Sequence, residues 1–366
     1  MDRLTLPGRL GLQQRVLPNY RAPFYDLLAQ FCEGGLSVRS GLPRPEEHIA
    51  TGELTIAQYS PAHNIHLLRG AWYACYQTGL TDWLQAWDPR ALIVEANARY
   101  LATPAAVHWM HARGRPVLGW GLGSPPLSGP LAGLRQTRRL AFLRRFDALI
   151  AYSRRGADEY AALGFPSEKI FTAHNAVSPR PTWPLPTRPS SIVHRPPTIL
   201  FVGRLQARKH VDRLLYACAQ LSVKPRLVIA GDGPERAALE RLARQIYPTT
   251  EFIGERRGEA LKPYFMEADL FVLPGTGGLA VQEAMSYGLP VVVARGDGTQ
   301  DDLVREGNGW QIPADDPAAL TAALTAALSD VGRLRRMGAE SYRIVAEEIN
   351  IEKMAETFVR AVRAVS

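Results

Sequence analysis

Short apolar runs of strand length recur through both halves of the chain, each followed by a longer stretch of helical spacing. The runs lie at 91–95, 116–119, 148–152, 198–202, 226–230, 270–273 and 291–294. Aliphatic runs of this length, bounded by turn residues, read as strands buried on both faces. Their alternation with helical stretches predicts parallel sheets joined by crossover helices, a doubly wound α/β architecture. Residues 268–294, ADLFVLPGTGGLAVQEAMSYGLPVVVA, show one such unit. The strand 270–273 is stopped by Pro274 and Gly275, and no bulky side chain follows until Leu279. Residues 280–287 have helical composition with Glu283 in the first turns, Gly288 supplies the stop, and Pro290 precedes the next strand. A glycine turn feeding a helix N-terminus presents N–H groups and the positive dipole end to an anion. An ordinary tight strand-to-helix turn has the same local sequence, so this pattern alone leaves both readings open.

The rhythm breaks at 178–198, SPRPTWPLPTRPSSIVHRPPT, where proline forbids a regular element. Residues 178–197 are therefore expected to be an extended interdomain linker. It would separate a first domain, 1–177, from a second, 198–345, with a cleft between them. The last segment, 346–366, carries Met354, Phe358, Val359 and Val362 on one helical face. That helix is expected to pack back toward the first domain. Near the start, QRVLPNYRAPFYDLLAQ reads as a strand, a turn at Pro18–Asn19 and a helix beginning near Pro23.

With 366 residues, 46% of them hydrophobic, the chain can bury two cores. No apolar run reaches membrane-spanning length, and MDRLTLPGRL lacks the apolar centre of a secretory signal. The three cysteines, Cys32, Cys75 and Cys218, are odd in number and widely spaced. They read as reduced thiols of a cytoplasmic protein rather than a metal site. The net charge of +8 comes mainly from arginine. It fits phosphorylated small molecules, an anionic membrane surface or nucleic acid. No helix-turn-helix, zinc-finger or RNP pattern is present, so nucleic acid ranks last.

The candidate chemistry clusters after the strands of the second half. FVGRLQARKH places Gly203, Arg204, Arg208 and Lys209 just past a strand end, where α/β sheets bind ligands. Arginine grips phosphate through two hydrogen bonds and lysine adds a point charge. LVIAGDGPER ends a strand in a glycine turn, with Asp232 read as part of that turn. EFIGE sets Gly254 at the mouth of a short strand, where backbone groups could bond a nucleobase.

These four segments, in this order and spacing, resemble the C-terminal domain of retaining GT-B-fold glycosyltransferases of the family 4 type (glycosyltransferase group 1). The resemblance covers most of 198–312 and implies two Rossmann-like domains and a nucleoside diphosphate sugar, UDP- or GDP-linked, as donor. It assigns Arg204 and Lys209 to the donor diphosphate, where they would stabilise charge growing on the leaving nucleotide. Glu283 matches the second acid of the family's paired-glutamate motif and would accept hydrogen bonds from the ribose hydroxyls. Gly203 and Gly254, with the backbone of Gly277, Gly278, Leu279 and Ala280, would line the donor. The chain departs from the pattern at the first glutamate, whose place is taken by Gly275. That departure puts the contact to the donor sugar in question.

The N-terminal half resembles the family more loosely. Glu95 and Asn97 follow one strand and Gly121 and Gly123 another, which makes them acceptor-side candidates. His108 and His111 fall on an expected helix and read as surface or packing residues. No Asp-x-Asp pair occurs, so no metal is expected, and no resident cofactor besides the donor substrate. The arginines within 134–146 form a basic amphipathic helix. It reads either as a solvated face over the core or as a peripheral contact with an anionic inner membrane face. The resemblance implies transfer of a hexose to a glycan, lipid-linked or small-molecule acceptor, as in cell-surface polysaccharide synthesis. A sugar-nucleotide epimerase and a non-catalytic nucleotide-sugar-binding partner are the alternatives.

Overall fold

A computed structural model describes residues 5–47, 49–129, 131–188, 195–276, 278–296 and 298–366. The chain divides into two units, Met1–Val177 with Ile351–Ser366, and Ser178–Asn350.

The first unit is built on a seven-stranded sheet. Its strands are β1 (Leu10–Val16), β2 (Leu36–Gly41), β3 (Gln58–Pro61), β6 (Ala91–Glu95), β7 (Val117–Gly121), β8 (Ala148–Ala151) and β9 (Ile170–Thr172). A small antiparallel hairpin, β4 (Asn64–Leu67) and β5 (Ala74–Gln77), follows β3. The sheet order is β3-β2-β1-β6-β7-β8-β9, and the order reverses beside β1. Every ladder of this sheet is parallel. The connecting helices are α1 (Ala22–Ala29), α2 (Leu80–Trp87), α3 (Thr103–His111), α4 (Ala132–Leu143) and α5 (Arg154–Ala162). Sequence pattern missed β2 and β3. The segment LSVRSG is buried throughout although four of its six residues are Ser, Arg or Gly, so its placement rests on pairing with β1 rather than on hydrophobicity.

The C-terminal helix, Ile351–Arg363, belongs to this unit and buries Met354, Phe358, Val359 and Val362. Phe358 meets Phe24 of α1 and Trp120 of β7 edge-on, each with ring centroids 5.0 Å apart. Aromatic edge contacts of this kind add to the area that the rings bury.

The second unit carries a six-stranded parallel sheet in the order β12-β11-β10-β13-β14-β15. The strands are β10 (Thr198–Val202), β11 (Arg226–Ala230), β12 (Glu251–Gly254), β13 (Leu270–Leu273), β14 (Val291–Ala294) and β15 (Gly309–Ile312). Its helices are α6 (Val211–Gln220), α7 (Arg236–Ile246), α8 (Lys262–Glu267), α9 (Leu279–Ser286), α10 (Thr299–Leu303), α11 (Pro317–Leu328) and α12 (Val331–Arg343). The switch in strand order falls beside β10, so the loops after β10 and β13 share the sheet edge where such folds bind ligands.

The proline-rich stretch is not a free linker. Residues 178–188 and 195–197 belong to the second unit. A proline-rich backbone makes few hydrogen bonds of its own, and here side chains hold it down. Trp183 stacks on Tyr287, which stacks in turn on Phe265, with centroids 5.1 Å apart in both pairs. The Arg188 guanidinium donates to the carbonyls of Phe265, Met266, Ala268 and Tyr287. Residues 189–194 of the expected linker lie outside the described residues.

One buried carboxylate ties this unit's edge together. Asp269 is fully buried, accepts from the Thr198 N–H at 2.9 Å and pairs with Arg195 at 2.6 Å and Arg335 at 2.7 Å. These partners hold its carboxyl below the usual range in spite of burial. Asp269→Ala would leave the Arg195 and Arg335 cations without this partner, at a cost of roughly 3 kcal/mol or more in urea unfolding at pH 7. Because the native pKa is lowered, that contribution is present above the unfolded carboxylate range and is lost as pH falls through the native value. Variant and wild type should therefore converge in acid.

Candidate active site

The donor-side candidates lie in the second unit, on the loops that follow β10, β11, β12 and β13. The first three strand ends interlock through glycine. Gly203 N–H donates to the Ala230 carbonyl and Gly231 N–H to the Gly254 carbonyl. A Cβ on Gly231 would lie 2.0 Å from the Gly203 oxygen, and one on Gly233 2.3 Å from the Leu205 oxygen. Gly254 has φ +72°, a left-handed conformation that disfavours other residues. Gly231 and Gly233 thus matter as much as Gly203 and Gly254. Their signal was the GDG triplet, which reads as a plain turn. Asp232 does serve the turn, accepting from Gly233 N–H and pairing with Arg236 at 2.8 Å.

The loop 203–209 carries the basic residues. Arg204 is exposed, and no hydrogen bond or ion pair engages its guanidinium among the described residues. Lys209 is 8% exposed, and its ammonium donates to the Thr276 carbonyl at 2.7 Å. Burial, with the charge of Arg208 beside it, pushes its pKa down to about 8. Arg208 donates to the same carbonyl, and the Thr276 N–H donates back to the Arg208 carbonyl, both at 3.1 Å. The basic loop after β10 is therefore latched to the glycine loop before α9.

Gly275 explains how closely the two loops meet. A Cβ there would fall 2.2 Å from the Arg208 oxygen and 2.5 Å from the Lys209 Cα. The position where the resemblance expects a glutamate is filled by backbone of the basic loop. No sequence signal marked Thr276 or this approach.

Beyond it, α9 begins at Leu279, which is 44% exposed. Gly278 and Ala280 flank it, with a Cβ on Gly278 only 2.7 Å from the Leu273 side chain. Gly277 lies outside the described residues. Glu283 is part-buried on α9, and no hydrogen bond or ion pair engages its carboxylate among the described residues. Burial raises its pKa. A carboxylate so placed is costly unless hydrogen-bond donors reach it. Its neighbour Gln282 is buried and accepts from the Ser178 N–H while donating to the Ile349 carbonyl, which fixes α9 from behind.

The acceptor-side candidates line a cavity of about 650 Å³ in the first unit. Glu95, Asn97, Gly121 and Gly123 all border it. The Glu95 carboxylate accepts from the Arg15 N–H at 2.5 Å. Burial nonetheless raises its pKa to about 7, with the Arg15 amide and charge opposing. Asn97 spends its side-chain oxygen on the Arg99 N–H, shaping the turn after β6. The two glycines answer to packing. A Cβ on Gly121 would meet the Tyr160 hydroxyl at 2.6 Å, and Gly123, at φ +121°, abuts Gly156 and Glu159 of α5. Trp120, Tyr152 and Tyr160 also line the cavity, and nothing in their spacing had marked them. His111 pairs with Asp147 at the surface and His108 is exposed, both away from this cavity.

Residues 196–330 match the family described as glycosyl transferases, group 1. That stretch, a little over a third of the chain, is similar to the group 1 glycosyltransferases. The match spans β10 to α11 and contains Arg204, Lys209, Gly275 and Glu283. Over 162 residues the chain is 35% identical to the GDP-mannose-dependent alpha-mannosyltransferase of Mycolicibacterium smegmatis, covering 42% of each. It is 29% identical to the putative colanic acid biosynthesis glycosyltransferase WcaL of Escherichia coli, over 50% of this chain and 48% of that one. The chain thus spans less than half the length of these two relatives. Among solved structures, the Anabaena protein HepE in complex with UDP aligns with a TM-score of 0.69 at 17% identity, covering 98% of this chain and 100% of that one. Sucrose-phosphate synthase from Thermosynechococcus elongatus aligns with a TM-score of 0.67 at 18% identity, covering 98% of both. The fold is GT-B, with two Rossmann-like units. Among the described residues, no helix is long and apolar enough to cross a membrane.

The geometry sets two expectations. Gly275→Ala forces the basic loop off the glycine loop, so nucleotide binding should weaken roughly tenfold and stability fall by about 1–3 kcal/mol; calorimetric titration and urea unfolding measure each. The second concerns Glu95. Its native pKa exceeds the unfolded value, so the native state holds the proton more tightly. Stability should fall as pH rises from about 4.5 to about 7. Glu95→Gln should flatten that slope, giving urea midpoints closer to each other at pH 4 and pH 8 than in the wild type.

Proposed function

We propose that the protein is a metal-independent, retaining glycosyltransferase that moves a hexose from a UDP- or GDP-linked donor to an acceptor hydroxyl in glycan or glycoconjugate synthesis. The observation that carries this reading is the pairing, within one family-matched unit, of a basic loop with the part-buried Glu283 carboxylate on α9. Arg204 and the Lys209 ammonium would take the donor diphosphate, and Glu283 the ribose hydroxyls. The N-terminal turn of α9 would add its dipole to the phosphates. Charge growing on the leaving diphosphate would be met by fixed cations, which need no metal ion.

Retention follows from a front-face displacement. The acceptor oxygen attacks the anomeric carbon on the side the diphosphate leaves, the C–O bond to phosphate breaks, and a departing phosphate oxygen takes the hydroxyl proton. With Gly275 in place of the first glutamate, another group must hold the donor sugar, and the start of α9 at Leu279 is offered for that role. GDP-mannose in the name of the Mycolicibacterium relative and UDP bound to the Anabaena protein both support a nucleoside diphosphate donor. Both relatives cited by sequence are named as transferases, which favours transfer over the epimerase alternative. The acceptor would enter the cavity of the first unit, past Glu95 and Asn97. The exposed Leu131, Leu134, Arg144 and Arg145 about α4 support peripheral contact at a cytoplasmic membrane face.

Thermal unfolding with UDP, GDP and their sugar conjugates tests the donor. A ligand at ~100 times its dissociation constant should add roughly 2.7 kcal/mol. Arg204→Ala and Lys209→Ala should then lower transfer at least about 10²-fold, with the anomeric configuration of the product read by proton NMR. Inversion of configuration, or nucleotide release that needs no acceptor, would refute the proposal.

A further inference from the structure

The cavity of the first unit has a charge composition that a neutral sugar does not call for. Among the described residues its lining contains four arginines, Arg99, Arg135, Arg138 and Arg139, and one acidic residue, Glu95. Three of the four sit on one face of α4, at i, i+3 and i+4, and Arg99 comes from the loop after β6. These cations feel one another. Arg139 is displaced downward in pKa first by burial, then by the charges of Arg135 and Arg99. Arg139 is held by the Pro125 carbonyl at 2.8 Å, whereas Arg99, Arg135 and Arg138 are exposed. No ion pair involves these three among the described residues. Like charges gathered without counter-charge cost free energy until an anion arrives.

A second observation in the same lining also points to a ligand. Trp120 is 1% exposed and Ser124 4% exposed, yet Trp120 Nε1 and Ser124 Oγ have no hydrogen-bond partner among the described residues. Buried donors are rarely left so. Both border this cavity, and Trp72 and Tyr152 are also in its lining. Aromatic faces with scattered hydrogen-bond donors suit a sugar ring, and a guanidinium cluster suits a phosphate, which arginine grips bidentately.

We propose that the first unit's cavity binds a phosphorylated acceptor, with its phosphate on Arg99, Arg135 and Arg138 and its sugar against Trp120 and Ser124. This rests on reading that unit as the acceptor side. It narrows the substrate class from any hydroxyl to a glycosyl phosphate or diphosphate, free or attached to a lipid.

The test uses the full chain and reads binding, not turnover. Inorganic pyrophosphate is titrated calorimetrically into wild type, into Arg135→Gln/Arg138→Gln, and into Arg204→Gln/Lys209→Gln. The wild type should show two sites, one lost in each double variant, with at least tenfold weaker binding at the site removed. Both α4 arginines are exposed, so unchanged thermal unfolding of that variant is expected and excludes misfolding as the cause. UDP or GDP affinity should be unaltered in Arg135→Gln/Arg138→Gln. If that variant binds pyrophosphate at both sites as the wild type does, the proposal is wrong. If nucleotides fail to bind the wild type while the α4-dependent site persists, the donor assignment falls and this one stands. Glucose 1-phosphate and a short-chain prenyl diphosphate separate the sources. Equal affinity supports a soluble phosphate, preference for the prenyl form a lipid-linked one, and binding of glucose as tight as glucose 1-phosphate overturns the anionic class.

Discussion

Backbone meeting backbone at the C-terminal edge of the second unit's sheet is the constraint on which the candidate site depends. Gly275 lets the loop 207–209 come within van der Waals reach of the loop before α9, and three hydrogen bonds through Arg208, Lys209 and Thr276 then hold it. Gly231 and Gly233 do the same between the loops after β10 and β11. A methyl group at any of these positions would collide with main chain, which cannot swing aside as a side chain can. Arg208 and Lys209 are positioned by this contact, so their geometry depends on glycine as well as on arginine and lysine.

The absence of the first glutamate takes on a different meaning in this setting. It looks from sequence like a missing contact to the donor. In the fold it is the condition for the latch, because a side chain and the 208–209 backbone cannot occupy the same space. In place of a side chain, the position admits a basic loop fixed against the glycine loop. Lys209 illustrates the balance, since its burial and its proximity to Arg208 weaken its hold on its proton. A bound diphosphate would offset both effects.

The two units handle charge in opposite ways. In the second, the buried Asp269 is matched by two arginines and a backbone amide, and the result is structural. In the first, a part-buried carboxylate with a raised pKa faces a cavity crowded with arginine. Paired charges hold an edge together, whereas unmatched ones store a preference for a ligand that completes them.

Much of the second unit was legible in the sequence, because strands buried on both faces must be continuous apolar runs. The spans of β10, β11, β13 and β14 were all read from that signal, as was that of β6 in the first unit. Glycine and proline likewise marked where the ligand loops begin, since few other residues stop a strand so sharply. The motif residues Arg204, Lys209, Gly275 and Glu283 were named from the resemblance of short local segments to a family's pattern. By contrast β2, with Ser, Arg and Gly among its six residues, took its place only through pairing with β1. The proline-rich segment looked like a tether and is instead anchored by Trp183 and Arg188 to groups some 80 to 100 positions away. The contact of Gly275 with Arg208 and the gathering of Arg99 with the arginines of α4 likewise join residues distant in the chain. Local sequence determines backbone preference and periodicity. Only the folded sheet decides which loops lie side by side, and hence which charges are left without a partner.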